Sequence, residues 1–337
     1  MILRSFPEQI WLSRPKRIAF VLAAFLMLAT FIARPPPAPP PGPALAELTA
    51  MPVPLDAGDP ARRRVGALDY LGGWALTSDS PRFGSISAMQ VSSGRVTALG
   101  DAGTIMLFAV PSGAVREPVR LLPLPSGPGP ATRKSNRDTE SLVLHGPWLW
   151  VGFEKHNMIW RYRRSDLRAA SAARPPPMRR WLANAGPEAM VRLAGGRFLV
   201  FAEGSSGAER TSEAVLFEGD PSDPATRSAR LRYVRVPGYR ITDAALLPDG
   251  RLLLLNRRFA LFEGVSAVLS VADLTGLRAG GTIEGREIAT LRPPLTVDNM
   301  EALSVTVENG RTILWIASDD NFFPLQQTLL LKFALVE

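Results

Sequence analysis

The sequence predicts an all-β fold, a five-bladed β-propeller preceded by an N-terminal apolar helix and a Pro-rich linker. Short runs of Val, Leu, Ile, Phe and Trp alternate with Gly, Pro, Asp and Asn turns, and long runs with a helical period are few. A phrase of similar residues recurs five times, beginning at Ser87, Glu140, Glu188, Asp243 and Glu301. The steps of 53, 48, 55 and 58 residues match the length of one four-stranded propeller blade.

Residues 1–34 are predicted to be a signal anchor or a signal peptide. Arg14, Lys16 and Arg17 precede an uncharged apolar run at residues 18–33. As a helix this run is roughly 24 Å long, which does not separate the two interpretations. The first Ala-x-Ala sequence lies beyond a Pro-rich stretch, which favours an uncleaved anchor. Because more positive charge precedes the run than follows it, we expect the body to be anchored in the inner membrane facing the periplasm, or secreted there.

Residues 35–60 are predicted to be a linker, and residues 61–337 the propeller domain. The run from Pro35 to Pro43 favours polyproline II, a stalk of roughly 28 Å, although a disordered linker is the alternative. In the last blade, residues 328–335 would form the third strand. Residues 67–76 would pair with that strand, closing the ring and removing exposed sheet edges. A sixth, degenerate blade also fits the spacing.

The composition restricts the chemistry of any site. Of the 337 residues, 46% are hydrophobic and 21% charged, which is ordinary for a globular protein and excludes a multi-span membrane protein. The absence of Cys excludes disulfides, thiolate metal sites and Cys nucleophiles, and two His leave little for a His-rich site. The net charge is +8. Because the Arg residues are scattered, we expect no nucleic-acid partner. We also expect a monomer.

Polar residues at blade edges predict a functional site. A tight hairpin places the residue that opens its first strand beside the one that closes its second strand. Because the first strand of each blade lines the central channel, these pairs should converge on one mouth of that channel. The predicted ring contains Asp101, Glu140, Glu154, Glu188, Glu203, Asp243, Asn256, Asp298, Glu301, Asp319, Asp320 and Asn321.

Such a ring needs compensating charge, since clustered carboxylates raise one another's pKa. A divalent cation fits an oxygen-rich set, and Ca²⁺ is the first candidate because it accepts 6–8 oxygen ligands. The predicted metal ligands are Glu140, Glu188, Glu203, Asp298, Glu301 and Asp319. The alternative interpretation is structural bracing, in which these acids bind backbone amides or pair with Arg137, Lys155, Arg257 and Arg258.

Four segments resemble the phytase-like family described as "esterase-like activity of phytase". They are DTESL at 138–142, VGFEKHNMIWRY at 151–162, LLPDGR at 246–251 and SDDNF at 318–322, and the resemblance covers residues 83–333. It implies an exported bacterial propeller that hydrolyses phosphoesters or related esters. The matching acids are Glu140, Glu154, Glu188, Glu203, Glu301 and Asp319. Ser87 and Asn256 stand where the family pattern leads us to expect acids, so the first and fourth blades should contribute less.

The predicted function is metal-dependent hydrolysis of an anionic small-molecule ester. Glu140 and Glu154 are the principal catalytic candidates, and His156 is a further acid or base candidate or a structural residue. Lys155, Arg257 and Arg258 would bind the anionic substrate, or pair with neighbouring acids. Two alternatives remain: a non-catalytic propeller that binds a ligand or protein of the cell envelope, and a lactonase-like metal propeller.

Overall fold

The computed structural model describes residues 42–204 and 210–336, and this part of the chain is built almost entirely of strands. Its helical segments are three 3₁₀ turns, Lys134–Asn136, Pro176–Arg180 and Ala194–Gly196. The predicted all-β class is therefore confirmed. Within the described ranges, no helix is long and apolar enough to cross a membrane. The predicted apolar segment 1–34 and most of the polyproline run lie outside them.

Three strands precede the repeated part of the chain: β1 (Ala44–Pro52), β2 (Arg64–Val65) and β3 (Leu68–Ser78). The rest forms consecutive antiparallel units of four neighbouring strands. Unit 1 contains β4 (Ile86–Ser92), β5 (Arg95–Gly100), β6 (Thr104–Ala109) and β7 (Val115–Pro123). Unit 2 contains β8 (Thr139–His145), β9 (Trp148–Phe153), β10 (Met158–Arg163) and β11 (Ala169–Ala173).

Units 3 to 5 repeat this arrangement with additions. Unit 3 contains β12 (Pro187–Arg192), β13 (Phe198–Ala202), β14 (Thr211–Phe217) and β15 (Ser228–Val234). Unit 4 contains β16 (Arg240–Leu246), β17 (Leu252–Ala260), β18 (Gly264–Ala272) and β20 (Arg286–Leu291), while β19 (Thr282–Glu284) joins unit 3 in parallel with β15. Unit 5 contains β21 (Met300–Glu308), β22 (Arg311–Ser318), β23 (Thr328–Leu335) and β3.

Unit 5 is completed by a strand from the beginning of the body, as predicted. β23 pairs antiparallel with β3, with Thr328 opposite Leu76 and Leu335 opposite Leu68. The first strands of neighbouring units are in contact, β4 with β8, β8 with β12, β12 with β16, β16 with β21, and β21 again with β4. This cyclic order is the arrangement of a β-propeller.

Strand β1 corrects the predicted linker boundary. It pairs with β3 on one side and β7 on the other, and so joins units 5 and 1 in one sheet. Its side chains alternate in burial, with Leu48 2% and Ala50 0% exposed but Leu45 71% exposed. The folded body therefore includes residues from Ala44 onward, inside the range 35–60 that was expected to be a linker.

Each interface between neighbouring units holds its own hydrophobic cluster. Trp74, Met106 and Trp315 lie between units 5 and 1, and Leu99 and Phe153 between units 1 and 2. The remaining interfaces are filled by Trp150 and Phe198 between units 2 and 3, Phe201 and Leu254 between units 3 and 4, and Leu253 and Leu314 between units 4 and 5. Because every unit packs on two others, the first strands are fixed relative to one another.

The β1 pairing predicts an asymmetric response to truncation of its side chains. Leu48→Ala removes a buried side chain between two sheet units and should cost about 2–5 kcal/mol of unfolding free energy. Leu45→Ala, on the exposed face of the same strand, should change it by less than about 0.5 kcal/mol. Urea unfolding followed by circular dichroism measures both. Equal, small effects would mean that β1 is not part of the folded body.

Candidate active site

Two positions recur at one end of every unit. The pairing of each first strand with its second strand shifts register by one residue near the start, so a β-bulge stands there. The bulged residues are Ser87, Glu140, Glu188, Thr242 and Glu301. In each unit the residue before the bulge pairs with a residue of the second strand, and the residues that directly follow these partners are Asp101, Glu154, Glu203, Arg257 and Asp319.

Unit 4 departs from the prediction by one residue. Its bulged residue is Thr242, so Asp243 occupies the position of Ala302 in unit 5. Asp243 accepts hydrogen bonds from the backbone N–H groups of Ala244 (2.8 Å) and Leu303 (2.7 Å), and thus braces units 4 and 5. Asn256 is fully buried and accepts a 2.5 Å hydrogen bond from the hydroxyl of Tyr233. Both residues, predicted as members of the ring, therefore serve the packing of neighbouring units.

Units 1 and 4 use their bulged residues to bind the next unit. The Ser87 hydroxyl donates to the carbonyl of Thr139 at 2.6 Å, and the Thr242 hydroxyl donates to the carbonyl of Met300 at 3.1 Å. Each bond links a residue near the beginning of one first strand to the beginning of the next first strand. The bulges of units 2, 3 and 5 carry Glu140, Glu188 and Glu301 instead.

Unit 2 contains the most compact group of carboxylates. One oxygen from each of Asp138, Glu140 and Glu154 lies within 4.8 Å of the other two. The backbone N–H of Glu154 donates to the carbonyl of Asp138 at 2.9 Å, which fixes the two chain segments side by side. Lys155 Nζ lies 3.1 Å from Glu154 Oε2 and 3.4 Å from Asp138 Oδ2. We call Asp138, Glu140 and Glu154 the carboxylate triad.

Asp138 was not among the predicted site residues. The signal for it was its position two residues before Glu140, since alternate residues of an extended strand project from the same face. Asp138 precedes β8 and comes close to Glu154 through the backbone hydrogen bond that its carbonyl accepts, a pairing that the recurring phrase does not predict.

A second group of carboxylates surrounds Arg257. Arg257 Nη2 lies 3.3 Å from Glu301 Oε1 and 3.8 Å from Glu203 Oε1. Arg240 Nη1 donates to Glu203 Oε2 at 2.9 Å, and Asn299 Nδ2 donates to Glu301 Oε1 at 2.8 Å. Burial would lower the pKa of Arg257, but the neighbouring carboxylates raise it above its usual value. Arg257 is the one cationic residue among the ten recurring positions, and its guanidinium therefore stays protonated.

Negative charge exceeds positive charge in this region. We call the following eight residues the acidic cluster: Asp101, Asp138, Glu140, Glu154, Glu188, Glu203, Glu301 and Asp319. Four cationic side chains of the described residues form ion pairs with them: Lys134, Lys155, Arg240 and Arg257. The difference of four carboxylates requires protons or a bound cation.

The pKa values record this imbalance. Burial and the charges of neighbouring carboxylates raise the pKa of Glu140, Glu188 and Asp319 well above the usual range. Burial and Asp138 raise the pKa of Glu154 to about 7, although Lys155 opposes the shift. Protonation of several of these groups near neutral pH is the alternative to binding a cation.

The donor set fits a hard divalent cation. Two oxygens bound to one Ca²⁺ at 2.3–2.6 Å are at most about 5 Å apart, and the oxygens of the carboxylate triad meet this limit. Of the other predicted ligands, Glu203 and Glu301 are paired with Arg257, and Glu188 and Asp319 raise the pKa of that arginine. Asp298 accepts hydrogen bonds from the backbone of Asn299 (2.8 Å) and Gln327 (2.9 Å), which hold the loop before β23.

The remaining predicted residues have other partners. Asp320 accepts hydrogen bonds from the Ser85 N–H (2.8 Å) and the Thr328 hydroxyl (2.9 Å), and the Asn321 N–H donates to Asp319 at 2.6 Å. His156 Nε2 lies 3.0 Å from Asn136 Oδ1. Arg258 pairs with Glu263 at 2.6 Å on the β17–β18 hairpin.

A stability prediction follows from the raised pKa values. A group whose pKa is raised by folding stabilises the protein below its unfolded pKa and loses this contribution as pH rises through its folded pKa. Without divalent cations, the temperature at the midpoint of thermal unfolding should therefore decrease by roughly 5 °C or more as the pH is raised from about 5 to about 8. Thermal unfolding in EDTA measures it, and Glu154→Gln should reduce the drop. A midpoint that rises over this interval would contradict the account.

Comparison with known proteins gives one family. The model of the family described as "Phytase-like: Esterase-like activity of phytase" matches residues 81–322. Glutaminyl cyclase of Myxococcus xanthus is similar at 11% identity and a TM-score of 0.42, covering 75% of this chain and 92% of that one. The β-propeller domain of Cps50 (Swd1) of Myceliophthora thermophila is similar at 14% identity and a TM-score of 0.37, covering 79% and 77%. A search of curated protein sequences found no match.

Proposed function

Because the chain belongs to the phytase-like family, we propose that it hydrolyses phosphoesters or related esters and that the acidic cluster is its active site. The observation that carries the proposal is the carboxylate triad, with three acidic oxygens within 4.8 Å of one another beside Lys155, while Arg257 lies at Glu203 and Glu301 of the same acidic cluster. Carboxylates are the general bases and cation ligands of metal-assisted hydrolysis, and Lys and Arg bind anionic groups.

The members of the carboxylate triad would have different roles in hydrolysis. Asp138 and Glu140 would hold a divalent cation, most simply Ca²⁺, with Glu188 next to Glu140 as a further oxygen donor. When bound, this cation would polarise the ester and lower the pKa of the attacking water. Glu154 would accept the proton of the attacking water, because its pKa, raised to about 7 by burial and by Asp138, suits a general base near neutral pH.

Cationic side chains around the cluster would orient the substrate. Arg257 Nε is buried and has no hydrogen-bond partner among the described residues, so it is available to an incoming anion. Arg240 and Lys155 retain partly exposed side chains, 42% and 31%, and stand beside Glu203 and Glu154. We therefore place Arg240 in the substrate set instead of Arg258, which pairs with Glu263.

The architecture and location of the protein complete the proposal. We propose that the five units are the blades of a five-bladed propeller, supported by the cyclic contacts of their first strands. We also propose an exported monomer, attached to the inner membrane through residues 1–34 and facing the periplasm. The support for export is the apolar run at residues 18–33 with its preceding positive charges.

A non-catalytic propeller is the second candidate. The ion pairs of Glu203 and Glu301 with Arg257, and of Glu154 with Lys155, would be sufficient to brace the ends of units 2 to 5 without any reaction. In that case the same end of the molecule would bind a ligand or an envelope protein, and substitutions in the carboxylate triad would affect folding but no turnover.

Hydrolysis of p-nitrophenyl phosphate, its bis ester and p-nitrophenyl acetate by the full chain separates the two candidates. With Ca²⁺ present, at least one ester should be turned over, and EDTA should abolish turnover. Glu140→Gln and Glu154→Gln should each lower kcat by about 100-fold or more, because each removes a group needed at the reacting centre. Glu308→Gln, which breaks an ion pair with Lys332 at the opposite end of unit 5, is the matched control. Equal rates in all four proteins would exclude the carboxylate triad from catalysis.

A further inference from the structure

The β17–β18 hairpin extends beyond the level at which the other units end. β5, β9, β13 and β22 each end one residue before an acid of the cluster, at Gly100, Phe153, Ala202 and Ser318. β17 instead continues through Arg257, and its pairing with β18 runs on to Ala260 opposite Gly264. Unit 4 therefore projects a strand pair past the acidic cluster.

The tip of this hairpin is apolar and exposed. Leu261 is 51% and Phe262 87% exposed, and Phe259, in the next-to-last pair of the ladder, is 43% exposed. Single exposed apolar residues are common on protein surfaces. A group of exposed apolar side chains at the tip of one projecting hairpin, beside a polar site, is uncommon.

The base of the hairpin is held in place by polar contacts. Arg258 pairs with Glu263 at 2.6 Å, and its guanidinium carbon lies 5.8 Å from the centre of the Tyr239 ring. The hydroxyls of Tyr239 and Ser266 are 3.0 Å apart. These contacts connect the strands that carry the tip to each other and to Tyr239, while Leu261 and Phe262 themselves are exposed.

One strand joins the tip to the acidic cluster. Ala260, at the end of the ladder, is three positions after Arg257, which lies between Glu203 and Glu301. At about 3.3 Å per residue, the end of the ladder stands roughly 10 Å from Arg257 along the strand, and Leu261 and Phe262 follow directly. A molecule with an anionic group at Arg257 and an extended apolar part could contact both.

We propose that the hairpin tip, Leu261 and Phe262, binds the apolar part of an amphiphilic ester whose anionic group lies at Arg257. The proposal rests on the proposed function and narrows its substrate class. A compact, fully polar phosphoester would leave both side chains in water. An apolar chain that covers them would gain affinity, at most about fourfold for each methylene group buried.

The charges near the tip favour a single molecule over a lipid surface as the occupant. The acidic cluster holds eight carboxylates against four cationic side chains, so an anionic bilayer would bring many negative charges toward this excess. One anionic group, in contrast, needs only the position beside Arg257 and Arg240.

Calorimetric binding of ethyl phosphate and octyl phosphate to the full chain, with Ca²⁺ and below the micelle concentration, tests the proposal. The natural protein should bind octyl phosphate at least about tenfold more tightly than ethyl phosphate, because the longer chain reaches the tip. The double variant Leu261→Ser, Phe262→Ser should lose most of this preference and keep its affinity for ethyl phosphate. Val307→Ser, an exposed apolar residue beside a hairpin turn at the opposite end, should behave as the natural protein.

Several outcomes would overturn the proposal. It is wrong if octyl phosphate has no advantage in the natural protein, if neither phosphate binds, or if the double variant keeps the full preference. It is also wrong if the double variant loses association with phosphatidylcholine vesicles but not octyl phosphate binding, since the occupant would then be a membrane. Hydrolysis is measured separately. If the preference for octyl phosphate depends on the tip but no ester is turned over, the hydrolase is rejected and this binding site is kept. If an ester is turned over but the double variant keeps the full preference, this binding site is rejected and the hydrolase is kept.

Discussion

Repulsion among buried carboxylates at one end of the molecule is the constraint on which the site depends. Glu140, Glu188 and Asp319 lie where burial and neighbouring charges oppose ionisation. The fold tolerates this because hydrophobic clusters between neighbouring units fix the first strands independently of the site. Arg257 relieves part of the repulsion among Glu203, Glu301 and their neighbours, while the ion pairs of the triad, among the described residues, are with Lys155. The uneven distribution of cations makes the triad the place for a further positive charge.

A β-bulge at the same place in every unit positions side chains of the candidate site. Because one residue of each first strand is unpaired, its side chain leaves the regular alternation of the sheet at the same place in every unit. Whether the unit then contributes chemistry or bracing depends on the residue at that place. Ser87 and Thr242 reach the next unit with a hydroxyl, and glutamates at the same position in the other units place a carboxylate near those of neighbouring units. The bulged residues of the first and fourth units thus stabilise this end of the molecule, whereas those of the second, third and fifth units supply acids to it.

The sequence predicts the large-scale organisation better than the local register. The spacing of about fifty residues predicted the repeated units, and the missing strand of the last repeat predicted the pairing of β23 with β3. The bulge could not be seen in the sequence, so Asp243 and Asn256 were each assigned one residue away from Thr242 and Arg257. β1 was missed because its neighbours are rich in Pro, although Leu48 and Ala50 alternate with exposed residues as a strand requires. Asp138 was missed because its proximity to Glu154 depends on a backbone pairing outside the strands.

Calcium titration of the metal-free full chain by calorimetry tests most directly whether the excess of carboxylates forms a cation site. The account predicts saturable binding that Asp138→Asn or Glu140→Gln weakens by tenfold or more, while Glu308→Gln leaves it unchanged. Binding of equal strength in all four proteins, or no binding at all, would contradict it, and the acidic end of the molecule would then be held together by Arg257, Lys155 and protons alone.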